Sequence, residues 1–382
     1  MKRRDFIKLG SVLALAVPTV SPGAARLFEN KNYDSNKQVD FLYDGLQLSP
    51  KEYTDLLLKL ADENKIKPDF YSNGGVVEEL ENKFAKLLGK ESAVFMPTGT
   101  LANHIALRKL AGTSRRVVVQ EQSHIYLDSG DCCQTLSGLN LIPLGATSTE
   151  FSLGDLGQIV AKTKSGRVVT KVGVISIETP VRRMRDQMVG FGNMKAITGY
   201  AKQNDIKTHL DGARLFVQSV HTNIEPARYG ELFDTVYTSL YKCFNASSGA
   251  ILAGSKVFTE NLFHERRMFG GGLPAVWPFA AVALHYADTF LEDYKTAWQK
   301  AEKFFSLIQK DERFKVEKIP NGSHIVFLNV KSSNLMRFKE SLAAKNIHFP
   351  EPDKNRFVLK INPSFNNITP EDLSAICIEL LK

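Results

Sequence analysis

The stretch TSLYKCFNASSGAILAG, residues 238–254, runs from one apolar segment to another through a lysine set among small residues. DTVYTSL before it and GAILAGS after it are short, β-rich runs with the length of strands. Lysine is rarely kept inside a protein unless something pairs with it or reacts with it. A desolvated lysine loses its proton readily and becomes a nucleophile able to form a Schiff base. Taken alone, Lys242 reads as a strand-end lysine reaching into solvent, since exposed lysines are common, so its surroundings must decide.

Outward from this stretch the chain alternates strands with helices. SAVFM, RRVVVQ, LNLIPL, KVGVISIE and IKTHLD precede it as strand-like runs, and LANHIALRKLA and FGNMKAITGYAKQN lie between them with helical spacing. GGVVEELENKFAKLLGKE places Val77, Leu80, Phe84, Leu87 and Leu88 on one helical face and ends at Gly89. Strands alternating with helices predict an α/β fold, a mainly parallel sheet with helices on both faces. After FGGGLP at 269–274 a long helical region continues to about Lys310. SHIVFLNV and NRFVLKI then flank the helix SSNLMRFKESLAAKN, a small C-terminal α+β domain. The expected divisions are residues 1–25, an N-terminal arm 26–60, a large ligand-binding domain 61–290 and a small domain 291–382.

Composition narrows the function classes. The 382 residues have the apolar and charged fractions of an ordinary globular protein. The net charge of +8 comes from scattered basic residues, which favours anionic small molecules and argues against nucleic acid. Cys132, Cys133, Cys243 and Cys377 have neither metal-ligand nor disulfide-framework spacing, so four buried free thiols and no metal are expected. Residues 1–25 differ from the rest: KRRDFIKLG is followed by the short apolar run SVLALAV and by PGAA. The run is too short for a membrane span, and the segment resembles a twin-arginine export signal. That implies export to a bacterial periplasm with no membrane anchor in the mature form; a cytoplasmic location is the alternative.

In open α/β sheets ligands bind beyond the carboxyl ends of the strands, so the residues after each strand matter most. After SAVFM come Gly99 and Thr100 at a helix start, where free amides and the helix dipole can cradle a phosphate. His124 follows RRVVVQ, Asp211 and Arg214 follow IKTHL, and Lys242 follows DTVYTSL, 31 residues after Asp211. A phosphate cradle, a flat imidazole, a carboxylate and an amine together suit pyridoxal phosphate. Its aldehyde would condense with Lys242, its pyridine nitrogen would face Asp211, and His124 would stack on the ring. The hydroxyl of Ser239 or Tyr241 would serve the phosphate or the lysine.

YSNGGVVEELENKFAKLLGKESAVFMPTGTLAN, HLDGARLF, SLYK with GAILAGS, and RRMFGGGLP occur in the order and spacing of the threonine aldolase and aromatic amino acid β-eliminating lyase family, which the chain resembles. The resemblance covers about residues 40–290 and implies a pyridoxal phosphate enzyme of fold type I. It implies catalytic roles for Lys242, His124 and Asp211, and contacts from Arg214 to the ring hydroxyl and the substrate carboxylate. It also implies a homodimer or homotetramer with sites at subunit boundaries. Four positions depart from the family pattern. Val181 stands where a second histidine is usual, and Pro274 where an arginine follows the glycine loop. Lys360, with Arg356 nearby, replaces a carboxylate-binding arginine, and LYDG lacks a serine before its aspartate.

The expected reaction is cleavage of a β-hydroxy-α-amino acid to glycine and an aldehyde through a lysine Schiff base, with threonine itself a secondary substrate. The same cofactor supports β-elimination, racemisation and transamination, and a non-catalytic cofactor-binding protein is a further alternative.

Overall fold

A computed structural model describes residues 38–381 of the chain. The export-signal expectation and the first part of the expected arm lie outside them. The described residues fall within one unit, Ser35–Lys382.

Seven strands form the main sheet: β2 (Ser92–Met96), β3 (Arg116–Gln120), β4 (Asn140–Leu144), β5 (Val172–Glu178), β6 (Lys207–Asp211), β7 (Thr235–Ser239) and β8 (Ala250–Gly254). Their order is β2-β8-β7-β6-β5-β3-β4. Only β8 runs against its neighbours, pairing antiparallel with β2 and β7; the remaining pairs are parallel. Interior strand β5 is buried at every position, as a strand covered on both faces requires. In β3 successive side chains divide between the faces. Val117 and Val119 pack with Leu107 of the helix Gly99–Ala111, whereas Val118 joins the main core with Met194 and Ile197 of the helix Phe191–Gln203. Helices therefore cover both faces, as alternation predicts.

The carboxyl ends of β2, β3, β5, β6 and β7 lie on one side of the sheet. Met96, Gln120, Glu178, Asp211 and Ser239 are their last residues. Every strand end singled out above belongs to this set, and β5 adds a fifth.

A second core surrounds a three-stranded antiparallel sheet, ordered β12 (Arg356–Lys360), β10 (Ile325–Val330), β9 (Phe314–Lys318). The helix Phe290–Ile308 serves both cores: Phe290 and Tyr294 pack in the first, Ala297, Ala301, Phe304 and Phe305 in the second. The long helical region expected after residue 274 is in fact two helices, Trp277–Ala287 and Phe290–Ile308. The second begins afresh with Glu292 and Asp293 in its first turn, where acidic groups suit the helix dipole. The start of the chain also joins the second core. Val39 and Phe41 pack there, and β1 (Val39–Asp40) pairs in parallel with β11 (Ile347–His348). Among the described residues no helix is long and apolar enough to cross a membrane.

Candidate active site

A pocket opens where these strand ends meet, lined among others by Gly99, Thr100, His124, Asp211, Arg214 and Lys242. Six of the seven site residues read from the sequence thus share one pocket; Lys360 stands behind it on β12.

Gly99 opens its helix after Thr98, whose hydroxyl accepts from the Leu101 amide at 3.2 Å. The first amides of a helix have no intrahelical partner and point out of its N-terminus. A Cβ on Gly99 would come within 2.0 Å of Oη of Tyr237, so only glycine fits against that ring. Tyr237 is fully buried; burial first and then the Asp211 charge hold its phenol well above the ordinary range, keeping it a neutral donor.

Asp211 is buried at the end of β6 and anchored from behind. Its Oδ2 accepts from Nδ2 of Asn103 at 2.6 Å, and its Oδ1 accepts from the Ala213 amide at 3.2 Å. Asn103 Oδ1 in turn lies 2.8 Å from Nε2 of His209, and His209 Nδ1 lies 2.8 Å from Oγ1 of Thr235. Burial lowers the pKa of His209 to about 3, so the ring is neutral. Because Asn103 spends its amide on Asp211, its carbonyl must accept, which places the His209 proton on Nε2. The carboxylate keeps lone pairs free for a ligand.

His124 starts a one-turn helix after β3. Its amide donates to Oε2 of Glu178 at 2.5 Å, and the Arg182 amide donates to Oε1 of the same carboxyl at 2.9 Å. Glu178 is fixed by Gln120, which accepts from the Glu178 amide at 2.6 Å and donates to its carbonyl at 2.9 Å. Burial, then the Asp211 charge, raise Glu178 to about 8, against the pull of the two amides. Burial also lowers the pKa of the His124 imidazole, with Asp211 opposing and Lys242 assisting. The Ser129 hydroxyl donates to the His124 carbonyl at 3.0 Å, so its oxygen faces Nδ1 at 3.1 Å as an acceptor. That selects the Nδ1–H tautomer and leaves Nε2 with a free lone pair.

Lys242 lies in the loop between β7 and β8, half-buried, with Nζ 5.3 Å from the centroid of the Tyr241 ring. The start of the chain braces this loop. A Cβ on Gly45 would meet the Lys242 carbonyl oxygen at 2.3 Å, and the Leu46 amide donates to Oδ1 of Asn245 at 2.8 Å. Ser248 Oγ donates to the Pro97 carbonyl at 2.9 Å, tying the lysine loop to the turn before Gly99. Ser239 Oγ is buried with no hydrogen-bond partner, and Tyr241 is 47% exposed at the pocket.

Arg214 is buried between two carboxylates, with Nη2 2.8 Å from Asp44 and Nη1 3.4 Å from Asp186. Burial opposes its charge, but the two carboxylates outweigh it and raise its pKa. Asp44 also receives His324 Nε2 at 2.9 Å and Lys360 Nζ at 3.0 Å. Burial would raise the Asp44 carboxyl, yet Arg214, His324 and Lys360 hold it well below the usual range. Asp44, Asp186 and His324 could together offer three ligand atoms to a cation. Arg214 and Lys360 already balance the two carboxylates, so an added cation would be uncompensated.

The positions that depart from the family pattern are structural here. Val181 is fully buried in the main core, its amide donating to the Gln187 carbonyl at 2.8 Å. The Pro274 carbonyl accepts from the Tyr71 amide at 2.9 Å. Of the cysteines, Cys133, Cys243 and Cys377 are buried as expected, whereas Cys132 is only half-buried; all four are free thiols.

Pyridoxal phosphate fits this donor set. The helix start at Gly99 and Thr100 offers free amides to a phosphate, a buried carboxylate retains acceptor capacity, and an amine and an imidazole face the same space. Fold and site thus define a pyridoxal-phosphate-dependent enzyme of fold type I. A family model described as beta-eliminating lyase matches residues 65–329, and the chain belongs to that family. Low-specificity L-threonine aldolase from Candida albicans is 26% identical over 268 residues, covering 69% of this chain and 70% of that protein. The low specificity L-threonine aldolase of Escherichia coli is 23% identical over 284 residues, 73% of this chain and 82% of that one. Among solved structures, a putative L-allo-threonine aldolase from Listeria monocytogenes superposes with TM-score 0.71 at 27% identity, over 91% of this chain and 97% of that chain. A putative aromatic amino acid beta-eliminating lyase/threonine aldolase from Exiguobacterium gives TM-score 0.73 at 24% identity, over 90% and 97%, a likeness of fold.

The sequence reading missed Asn103, His209 and Glu178. Asn103 was visible four residues after Gly99, but nothing local shows that its helix turns it toward β6. Glu178 ends its strand just as Asp211 does, and the rule of inspecting strand ends would have found it.

Proposed function

We propose that this lyase cleaves β-hydroxy-α-amino acids between Cα and Cβ, giving glycine and an aldehyde. The observation that carries the reading is the convergence of Lys242, Asp211, His124 and the Gly99–Thr100 helix start on one pocket. The threonine aldolase names of the relatives support the same chemistry. Bound pyridoxal phosphate would supply an electron sink for the pair released at Cα. Gly99 and Thr100 would hold its phosphate, Lys242 would attach it, and Asp211 would keep its ring nitrogen protonated. His124 would pack on the ring, and its Nε2 lone pair would accept the proton of the substrate's β-hydroxyl as the Cα–Cβ bond breaks. The depressed pKa of His124 keeps that lone pair available near neutrality.

The test is product analysis of the cofactor-loaded protein with a panel of β-hydroxy amino acids. Equimolar glycine and aldehyde are expected. Ammonia with a keto acid would instead mean β-elimination, a change of stereochemistry alone racemisation, and no product a binding protein.

We also propose export through the twin-arginine route, on the strength of KRRDFIKLG followed by SVLALAV. Replacing Arg3 and Arg4 together by lysine should leave the protein in the cytoplasm; unchanged export would overturn the idea. A homo-oligomer is proposed as well, supported by the exposed Phe70, Leu58 and Met268 side chains. A monomeric mass in light scattering would refute it.

A further inference from the structure

The loop between the helix Leu153–Lys164 and β5 lies at the amino end of that strand. Glu178, at the carboxyl end, lines the pocket. The seven residues of β5 put about 20 Å between the two ends. The Thr170 amide donates to the Thr163 carbonyl at 3.2 Å and closes the base of the loop, so residues 164–169 form the turn beyond it. On the strand side the chain is fixed, since a Cβ on Gly173 would meet the Ser114 carbonyl oxygen at 2.2 Å.

Every residue of this turn, KSGRVVTK at 164–171, is exposed. Val168 stands 77% exposed and Val169 58%. Valine is among the residues most often buried, and two in succession on one turn form a patch rather than a stray apolar side chain. Cations frame them: Lys162, Lys164, Arg167 and Lys171, in a stretch from Leu156 to Ile177 that has no acidic residue. Among the described residues none of the four enters an ion pair, and Lys164 Nζ meets only the neutral Asn204 Oδ1, at 3.2 Å. Four such cations alone would suit any polyanion. The valines decide: nucleic acid phosphates offer them no apolar partner, whereas a bilayer sets anionic headgroups directly over hydrocarbon.

We propose that the loop 164–171, with Lys162 at its foot, docks on an anionic lipid surface. Val168 and Val169 enter the headgroup boundary, and the four cations meet lipid phosphates. Because loop and pocket occupy opposite ends of β5, a docked molecule keeps its pocket turned to the solution and open to a soluble small molecule.

The test is co-sedimentation of the full-length protein with vesicles of equal parts phosphatidylglycerol and phosphatidylcholine. Pure phosphatidylcholine vesicles and a fluorescent short DNA duplex are titrated alongside. Binding to the anionic vesicles that fades as salt is raised is expected, with none to phosphatidylcholine. Each cation near an anionic surface is worth about fivefold in affinity, so Arg167→Gln with Lys171→Gln should weaken binding about 25-fold. Val168→Ser with Val169→Ser should weaken it about fivefold or more through lost apolar burial. Both variants should keep the wild-type melting temperature and turnover. Residues 1–25 are present in every arm, so a loss reports the loop alone. Vesicle binding unchanged in either double variant would overturn the proposal, as would equal binding to pure phosphatidylcholine. Tighter binding to the DNA duplex, indifferent to the valines, would overturn it in favour of a nucleic acid surface.

Discussion

At the scale of the residue, the site separates groups that face the ligand from groups that hold them. Lys242→Ala should abolish the covalent link to the cofactor, its visible band and turnover, and borohydride reduction of wild-type protein should label Lys242; another labelled lysine would contradict the assignment. Asp211→Asn should keep the fold, because an amide can still pair with Asn103, yet lower the rate about 100-fold or more through loss of the negative charge. Near-normal rates would refute the charge argument. Glu178 gives a pH signature of opposite character. Its pKa is raised to about 8 in the folded protein from 4.5. The unfolded chain thus releases its proton first as pH rises. Its contribution is fully present below about 4.5 and is lost as pH climbs through about 8, at up to ~1.4 kcal/mol per pH unit. Glu178→Gln, which stays neutral throughout, should flatten that slope. Urea midpoints at pH 5.5 and 8.5 check this: equal pH dependence in variant and wild type would rule it out.

Among elements, glycines at close approaches carry the prediction. Gly45 sits against the Lys242 carbonyl, and backbone cannot yield as a flexible side chain can. Gly45→Ala should displace the lysine loop, lowering cofactor affinity at least tenfold and the melting temperature by a few degrees. A variant with wild-type affinity would show that the loop tolerates the push. Strands and helices were legible because their patterns are local. SAVFM, KVGVISIE and IKTHLD begin and end within a residue or two of where they were expected, and strand ends led directly to the residues that line the pocket. What stayed hidden was long-range pairing. Nothing around Asp44 announces Arg214, His324 and Lys360, which lie 170, 280 and 316 positions away. The two-residue strands β1 and β11 carry no periodicity at all, since they exist only through each other.

For the molecule as a whole, substrate preference follows from how the family pattern was altered. Val181 is packed in the core and offers no base, and the Pro274 carbonyl is spent on the Tyr71 amide. Arg183 stands 44% exposed beside Arg182, sharing Asp128 with it. We expect modest cleavage of threonine, with a larger or acidic β-hydroxy amino acid handled better. Comparing kcat/KM across such a panel checks it, and threonine leading the series clearly would be the contrary result.

The early segment at residues 38–46 has a consequence for how the protein is made. It is synthesised long before its partners: Ile347 and His348 beside β1, the Lys360 amide on the Phe41 carbonyl, and Asn362 and Ser364 on Asp40. Contacts this distant in sequence form late, after the cost of closing a very long loop has been met. Because the same segment braces the Lys242 loop, a chain still on the ribosome lacks the finished lysine site, however well its central sheet has formed. A polypeptide ending near residue 345 would keep Lys242, Asp211 and His124 and lack the residues that hold the bracing segment in place. Residues 347–364 thus hold the segment on which the lysine loop leans, and removing them should lower cofactor affinity.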